Sequence, residues 1–376
     1  MPYQILASGY RPNFSLLSFE PDSAKLKLVA DSPAPDSASW VEEAVKQSGP
    51  GKVIYSCSEG EKEGLAVSLK LDGDKVEVTS SRKTRGAPAH ILPLKDGSGV
   101  LYATYMGGTV VYFPLNPDGT LSSTSASPDL EFPFPYKDHG PDAERQESPH
   151  LHQVLEAKDG KIYAVDLGSD RVWVIRRSGV DALEIVGWLQ LPEGAGPRHA
   201  VFSPDEKHLY VLTELTHSLF VFSLTSSSYP SHPLPDFSIN IVPPTVPATH
   251  QKYMDSAEVR LNPASPNVIY ASNRWELHVK EKNPGLPEIK EKQPGDAVAV
   301  VLLSEDGAKV EEVKHVRTGC DAIRAMRVSP DGKYVALAGQ EGGGFEVWQV
   351  GGKRGDEWKL AAKDESIHGV TDCLWL

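Results

Sequence analysis

A small set of side chains able to move protons or grip anions falls at matching points of a recurring pattern in this chain. Counting 11 or 12 residues back from a series of regularly placed tyrosines reaches His90, His152, His199 and Glu258. Counting four forward reaches Glu59, Met106, Leu167, Glu214, Arg274 and Ala338. If each tyrosine lies on the second of two antiparallel strands, both points share one rim. His152, Arg198 or His199, Glu214, Glu258 and Arg274 are then expected to converge there. Imidazole and carboxylate exchange protons near neutral pH, and planar guanidinium forks bind carboxylate or phosphate through two bonds at once. The cluster therefore has the makings of a general acid–base site with an anion clamp. His90, His199 and Glu258 are expected to contact substrate in that site, and Arg324 and Arg327 are the next candidates for the clamp.

The bland role competes at every one of these positions, because polar residues at strand starts also cap strands or hold channel water. His150 and His152 would share one strand face and, with His90, could imitate a metal site. No His-x3-His spacing or paired-Asp loop accompanies them, so no metal is expected. His139, His217, His232, His250, His278 and His368 read as ordinary surface or packing residues. There is no Gly-x-Ser-x-Gly elbow and no phosphate-cradling glycine loop.

The elements that must position these groups come from the same tyrosines. Six aliphatic–tyrosine pairs, at Tyr55, Tyr102, Tyr163, Tyr210, Tyr270 and Tyr334, are separated by 47, 61, 47, 60 and 64 residues. The short intervals match one four-stranded propeller blade, and the long ones a blade plus an inserted loop. Turns such as Pro204-Asp205-Glu206-Lys207 and Pro330-Asp331-Gly332-Lys333 precede the tyrosine strand, and alternating runs such as Val172–Ile175 follow it. With 30 prolines and 32 glycines, no window supports a convincing helix, so the chain reads as all-β. Two unpaired ends remain: Tyr3–Ser8 with Phe14–Phe19, and Val370–Leu376. Together they complete a further blade, giving one seven-bladed β-propeller of four-stranded antiparallel blades over residues 1–376.

Composition narrows the partners. There are 38 basic and 51 acidic residues, a net charge of −13, which argues against nucleic acid. The apolar run Ala297–Leu303 is far too short to span a bilayer, and Met1–Asn13 lacks the features of a secretory leader. Cys57, Cys320 and Cys373 have no metal or redox spacing and read as reduced, buried thiols, so a cytoplasmic protein is expected. The Lys/Glu-rich stretch Lys280–Lys292 reads as a solvated hairpin extension.

Gly196-Pro197-Arg198-His199 leading to Leu209–Leu215, with His152 upstream and Ala271-Ser272-Asn273-Arg274 downstream, resembles the seven-bladed propeller lactonase family. That family includes bacterial propeller 6-phosphogluconolactonases and fungal 3-carboxy-cis,cis-muconate lactonizing enzymes. The resemblance spans nearly the whole chain and implies catalytic roles for His152, Arg198, Glu214 and Arg274, with no cofactor. The Gly-Pro-Arg-His wording is similar to the phosphogluconolactonase branch. Ser39-Trp40, Ile241–Pro247 and the closing Leu374-Trp375 are similar to the fungal branch. The segment 128–148 and the charged insert after His278 match neither branch, and over the channel they would alter substrate choice. The leading expectation is cycloisomerisation of a carboxylated muconate to a γ-lactone, with a small carboxylated anion as partner. Hydrolysis of a sugar-acid lactone is the alternative, and a decayed propeller serving as a scaffold is the third. In the first two, Arg198 and Arg274 would hold the anionic groups, and Glu214 or His152 would handle the proton.

Overall fold

In a computed structural model, residues 2–376 are described apart from 48, 125–127, 180–181, 227, 290 and 292. The described residues form seven four-stranded antiparallel sheets. Blade 1 joins the C-terminal strand Val370–Trp375 to Tyr3–Gly9, Asn13–Glu20 and Lys25–Pro33, with Leu6 opposite Leu374 and Ala7 opposite Cys373. The chain end thus supplies the innermost strand of the first blade, as the two unpaired ends imply. The other innermost strands are Val41–Glu43, Pro88–Pro93, Leu151–Glu156, Pro197–Phe202, Asp255–Asn262 and Asp321–Val328, for blades 2 to 7. Each packs against the next around a closed ring, so no inner sheet edge is left open.

The recurring tyrosines do more than fill the core. Tyr55 donates its hydroxyl to the Gly119 carbonyl at 3.0 Å, Tyr210 to Gly307 at 2.9 Å and Tyr270 to Gly355 at 2.6 Å. Each of these acceptors lies in a turn of the following blade, so one residue supplies apolar area and a satisfied inter-blade bond. Between blades, alternate side chains of facing sheets interlock into apolar clusters such as Tyr163, Val165, Val174, Leu209, Val211 and Phe222. Cys57, Cys320 and Cys373 are buried and unpaired.

Two departures from the sequence reading lie in the inserts. Short helices form at Ala248–Gln251 and Val279–Lys282. The charged stretch is no hairpin: Val279 packs with Val242, Val246 and Met254, and Leu286 and Ile289 cover them. Buried apolar residues scattered among charges hid this small cluster; residues 290 and 292 of the stretch lie outside the described residues. The 128–148 segment is tied down on blade 4. Phe132 packs on Trp173, Tyr136 reaches Asp170 at 2.5 Å, and the Gln146 amide donates to the Leu167 carbonyl at 3.0 Å. No helix among the described residues is long and apolar enough to cross a membrane.

Candidate active site

A β-bulge opens the innermost strand of blades 3 to 7. In blade 4, Leu151 pairs with Asp166 and Gln153 with Val165, leaving His152 as the extra residue. In blade 5, Pro197 pairs with Thr213 and His199 with Leu212, leaving Arg198. Ala89 in blade 3, Ala257 and Glu258 in blade 6, and Arg324 in blade 7 occupy the same irregularity. A bulge breaks strict in–out alternation and re-aims its extra side chain, so Arg198 and His199 both reach the central ion network although they are consecutive. Gly196 permits the turn into that strand. Its φ is +62°, Asp170 accepts its N–H at 2.7 Å, and an added Cβ would lie 2.5 Å from Leu215 Cγ.

The second strands deliver the opposite charges. Glu214 follows His208–Thr213, its own N–H bonded to Gly196 at 2.7 Å. Arg274 ends Ser265–Arg274. Trp275 then turns the chain at φ 75°, a conformation bulky residues rarely adopt. Asp296 holds that turn by accepting the N–H groups of Trp275 and Glu276 at 3.2 and 2.9 Å.

Three arginines surround the Glu214 carboxylate: Arg145 at 2.5 Å, Arg198 at 2.8 Å and Arg274 at 2.9 Å. Burial alone would raise this carboxyl, but Arg274, Arg145 and Arg198 together hold it well below the usual carboxylate range. Glu214 is therefore a fixed negative charge at any ordinary pH. Arg198 continues downward to Glu258 at 3.2 Å, where Arg260 (2.7 Å) and His199 (3.0 Å) also meet that carboxylate. His152 Nδ1 lies 3.1 Å from His199 Nε2. Burial, then Arg198, His199 and two further arginines, holds His152 well below the ordinary imidazole value, so it is neutral near pH 7.

A cavity of about 210 Å³ opens above this network. His152, Glu214, Arg274, Arg145 and Tyr105 line one side; Tyr10, Glu59 and Arg324 line the other. On that second side the Tyr10 hydroxyl donates to Glu59 and accepts from Arg324, each at 2.5 Å.

Of the residues expected from sequence, His152, Glu214 and Arg274 line this cavity, as do Glu59, reached by the same counting, and Arg324, the further clamp candidate. Arg198 lies beneath its floor, 1% exposed. His199 and Glu258 are also fully buried, and His90 packs against Trp40 in a tilted contact at 4.7 Å between ring centres, so none of the three lines the cavity. Met106 is exposed, while Leu167 and Ala338 are core residues. Arg327 pairs with Glu42 and Asp372, away from the cavity. His150 is bonded to the Tyr105 carbonyl and faces Glu147. No group of three or more His, Cys, Asp or Glu among the described residues could hold a metal ion. Tyr10, Tyr105 and Arg145 were not foreseen. Tyr105 stands three residues past a repeat tyrosine, one short of the slot counted. Tyr10 and Arg145 sit in loops that carry no repeat signal.

Seven four-stranded blades with a charged cavity at one channel mouth define a propeller of the enzyme type. The chain belongs to the seven-bladed β-propeller lactonase family, whose profile it matches over residues 7–370. It is 32% identical to the 6-phosphogluconolactonase of Bacillus subtilis over 172 residues, which is 44% of this chain and 47% of that protein. The fold is shared with a Lactobacillus plantarum protein (TM-score 0.82, 21% identity, all of both chains covered). It is also shared with the periplasmic gluconolactonase of Pseudomonas aeruginosa (TM-score 0.78, 18% identity, 100% of this chain and 99% of that one).

Proposed function

We propose that this protein hydrolyses a sugar-acid lactone bearing an anionic group, at the cavity above Glu214. The observation that carries the reading is a neutral imidazole, His152, in a small cavity that Arg145, Arg274 and Arg324 also line. A neutral imidazole is the form that accepts a proton. His152 Nε2 takes one proton from water as the oxygen adds to the lactone carbonyl carbon. The oxyanion that forms is stabilised by guanidinium N–H groups of Arg145, Arg274 and Arg324, which line the cavity. The ring C–O bond then breaks, and the proton returns from His152 to the leaving oxygen. Glu214 cannot donate a proton in this scheme, since three arginines keep it ionised; it holds those arginines in place. A surface of net charge −13 repels anions at long range, so the anionic end of the substrate rests on this local positive site.

Cycloisomerisation of a muconate, the leading expectation from sequence, needs a proton delivered to carbon at this cavity, and the groups here are poor acids. Among the named relatives, the lactone hydrolases support the hydrolytic direction. A scaffold role leaves the convergence of three guanidiniums on one buried carboxylate without a purpose. Three unpaired thiols fit action in the cytoplasm.

The test is a pair of assays. Acid release from 6-phosphogluconolactone and from gluconolactone is followed at constant pH, beside ultraviolet loss of 3-carboxymuconate. Acid release well above the spontaneous rate, with stable muconate absorbance, is expected. Muconate loss without acid release would reverse the assignment.

A further inference from the structure

Beneath the cavity, three buried groups form a line: Glu258, His199 and His152, with exposures of 1%, 0% and 6%. Glu258 Oε1 lies 3.0 Å from His199 Nδ1, a charge contact not aligned as a full hydrogen bond. His199 Nε2 lies 3.1 Å from His152 Nδ1. A lone pair facing a carboxylate would be repelled, so Nδ1 of His199 carries that ring's proton. A neutral imidazole has one N–H, which makes His199 Nε2 an acceptor. His152 must then donate from Nδ1, and its remaining nitrogen, Nε2, is bare. Among the described residues nothing bonds to His152 Nε2, and its ring lines the cavity.

We infer that His199 and Glu258 are positioning residues that fix the Nδ1–H tautomer of His152 and so aim a basic Nε2 at the substrate's water. This rests on the reading of His152 as the base. It also explains why two groups expected to touch substrate are buried below it. Glu258 does not act on His199 alone, since Arg198 and Arg260 share its charge. Trp40, His90 and His152 wall the His199 ring on its other sides, at 5.3, 5.8 and 4.9 Å between ring centres. Those rings hold the imidazole plane in place, and Glu258 at one nitrogen with His152 at the other sets the order of its two nitrogens. When His152 takes the proton at Nε2, its Nδ1–H···Nε2 bond gains positive charge at the donor and strengthens, with the Glu258 carboxylate at the far end of the line.

Two measurements test this. Nitrogen-15 NMR of histidine-labelled protein, assigned with the His152→Ala variant, should show His152 protonated at Nδ1 and bare at Nε2 near pH 7. An Nε2–H tautomer there would overturn the inference. The second is kinetic, on the lactone that the wild type hydrolyses. His199→Gln keeps an amide oxygen able to accept the His152 N–H and should hold kcat within about threefold. His199→Leu removes the acceptor and should lower kcat by about 100-fold with KM unchanged. Equal losses in both variants, or a rise in KM as the main effect, would mean that His199 is merely structural. If the wild type hydrolyses no lactone, the functional reading fails, while the NMR result still decides the tautomer.

Discussion

Two buried ion clusters in this propeller are near mirror images. At the cavity, one carboxylate, Glu214, is ringed by Arg145, Arg198 and Arg274. Beside Trp40, one arginine, Arg327, is gripped by Asp372 and Glu42, both at 2.8 Å, with its guanidinium 4.7 Å from the indole centre. The first has surplus positive charge and faces open space. The second has surplus negative charge and lies away from the cavity, with Glu42 22% exposed at its edge. Asp372 lies on the closing C-terminal strand and also accepts the Val41 N–H of blade 2 at 3.1 Å, so this cluster stitches blades 7, 1 and 2 together. The same residue types thus leave opposite net charge in the two places, and only the positive one borders a cavity.

Breaking the closed cluster should have the largest effect. Asp372→Ala leaves Arg327 buried with only Glu42, and should cost about 3–5 kcal/mol of stability in denaturant melts. Its folded fraction should keep a normal KM. The open cluster should respond differently to loss of its single carboxylate. Glu214→Gln should lose about 1–3 kcal/mol, and phosphate or sulfate should raise its Tm more than that of the wild type, because an anion can replace the missing charge. Equal anion effects in the two proteins would remove the contrast between the clusters.

A third prediction concerns His90, which burial and then His199, Arg327 and Arg260 hold well below the ordinary value, with Glu258 opposing. Below the unfolded value of about 6.5, the unfolded chain binds a proton that the folded one refuses, so stability falls as pH falls. His90→Phe should flatten that slope by up to about 1.4 kcal/mol per pH unit between pH 6.5 and 5, measured by urea melts. An unchanged slope would show that His90 titrates normally. The smallest effect is expected at Arg145, whose side chain is 33% exposed. Arg145→Ala should raise KM about 3- to 10-fold for an anionic lactone, change kcat little, and leave KM for an uncharged lactone nearly unaltered.

How far the sequence reached follows from where regularity ends. Tyrosine spacing located six blades, because packing facing sheets favours the same residue at the same point in each, and the two unpaired ends pointed to the seventh and its closing strand. The same counting gathered His152, Glu214 and Arg274 at one rim. It could not choose between Arg198 and His199, since a bulge cancels the alternation on which such a choice depends. Nor could it separate cavity from floor. Glu258 and His199 share the slot of His152, yet depth in the channel depends on how the inner strands lie against one another. Arg145 was invisible for another reason: an insert reaches the site by folding over the rim, and no period marks it.

In the proposed reaction His152 drives lactone opening at the cavity, while the arginines bind the anion and stabilise the oxyanion. The most direct measurement is of His152→Ala, comparing kcat for the lactone with the affinity for the hydroxy-acid product by calorimetry. A kcat lower by about 10²- to 10⁴-fold is expected, with product affinity within about threefold of wild type. A variant that turns over the lactone at the wild-type rate would contradict it, and would move the proton-accepting role away from this histidine.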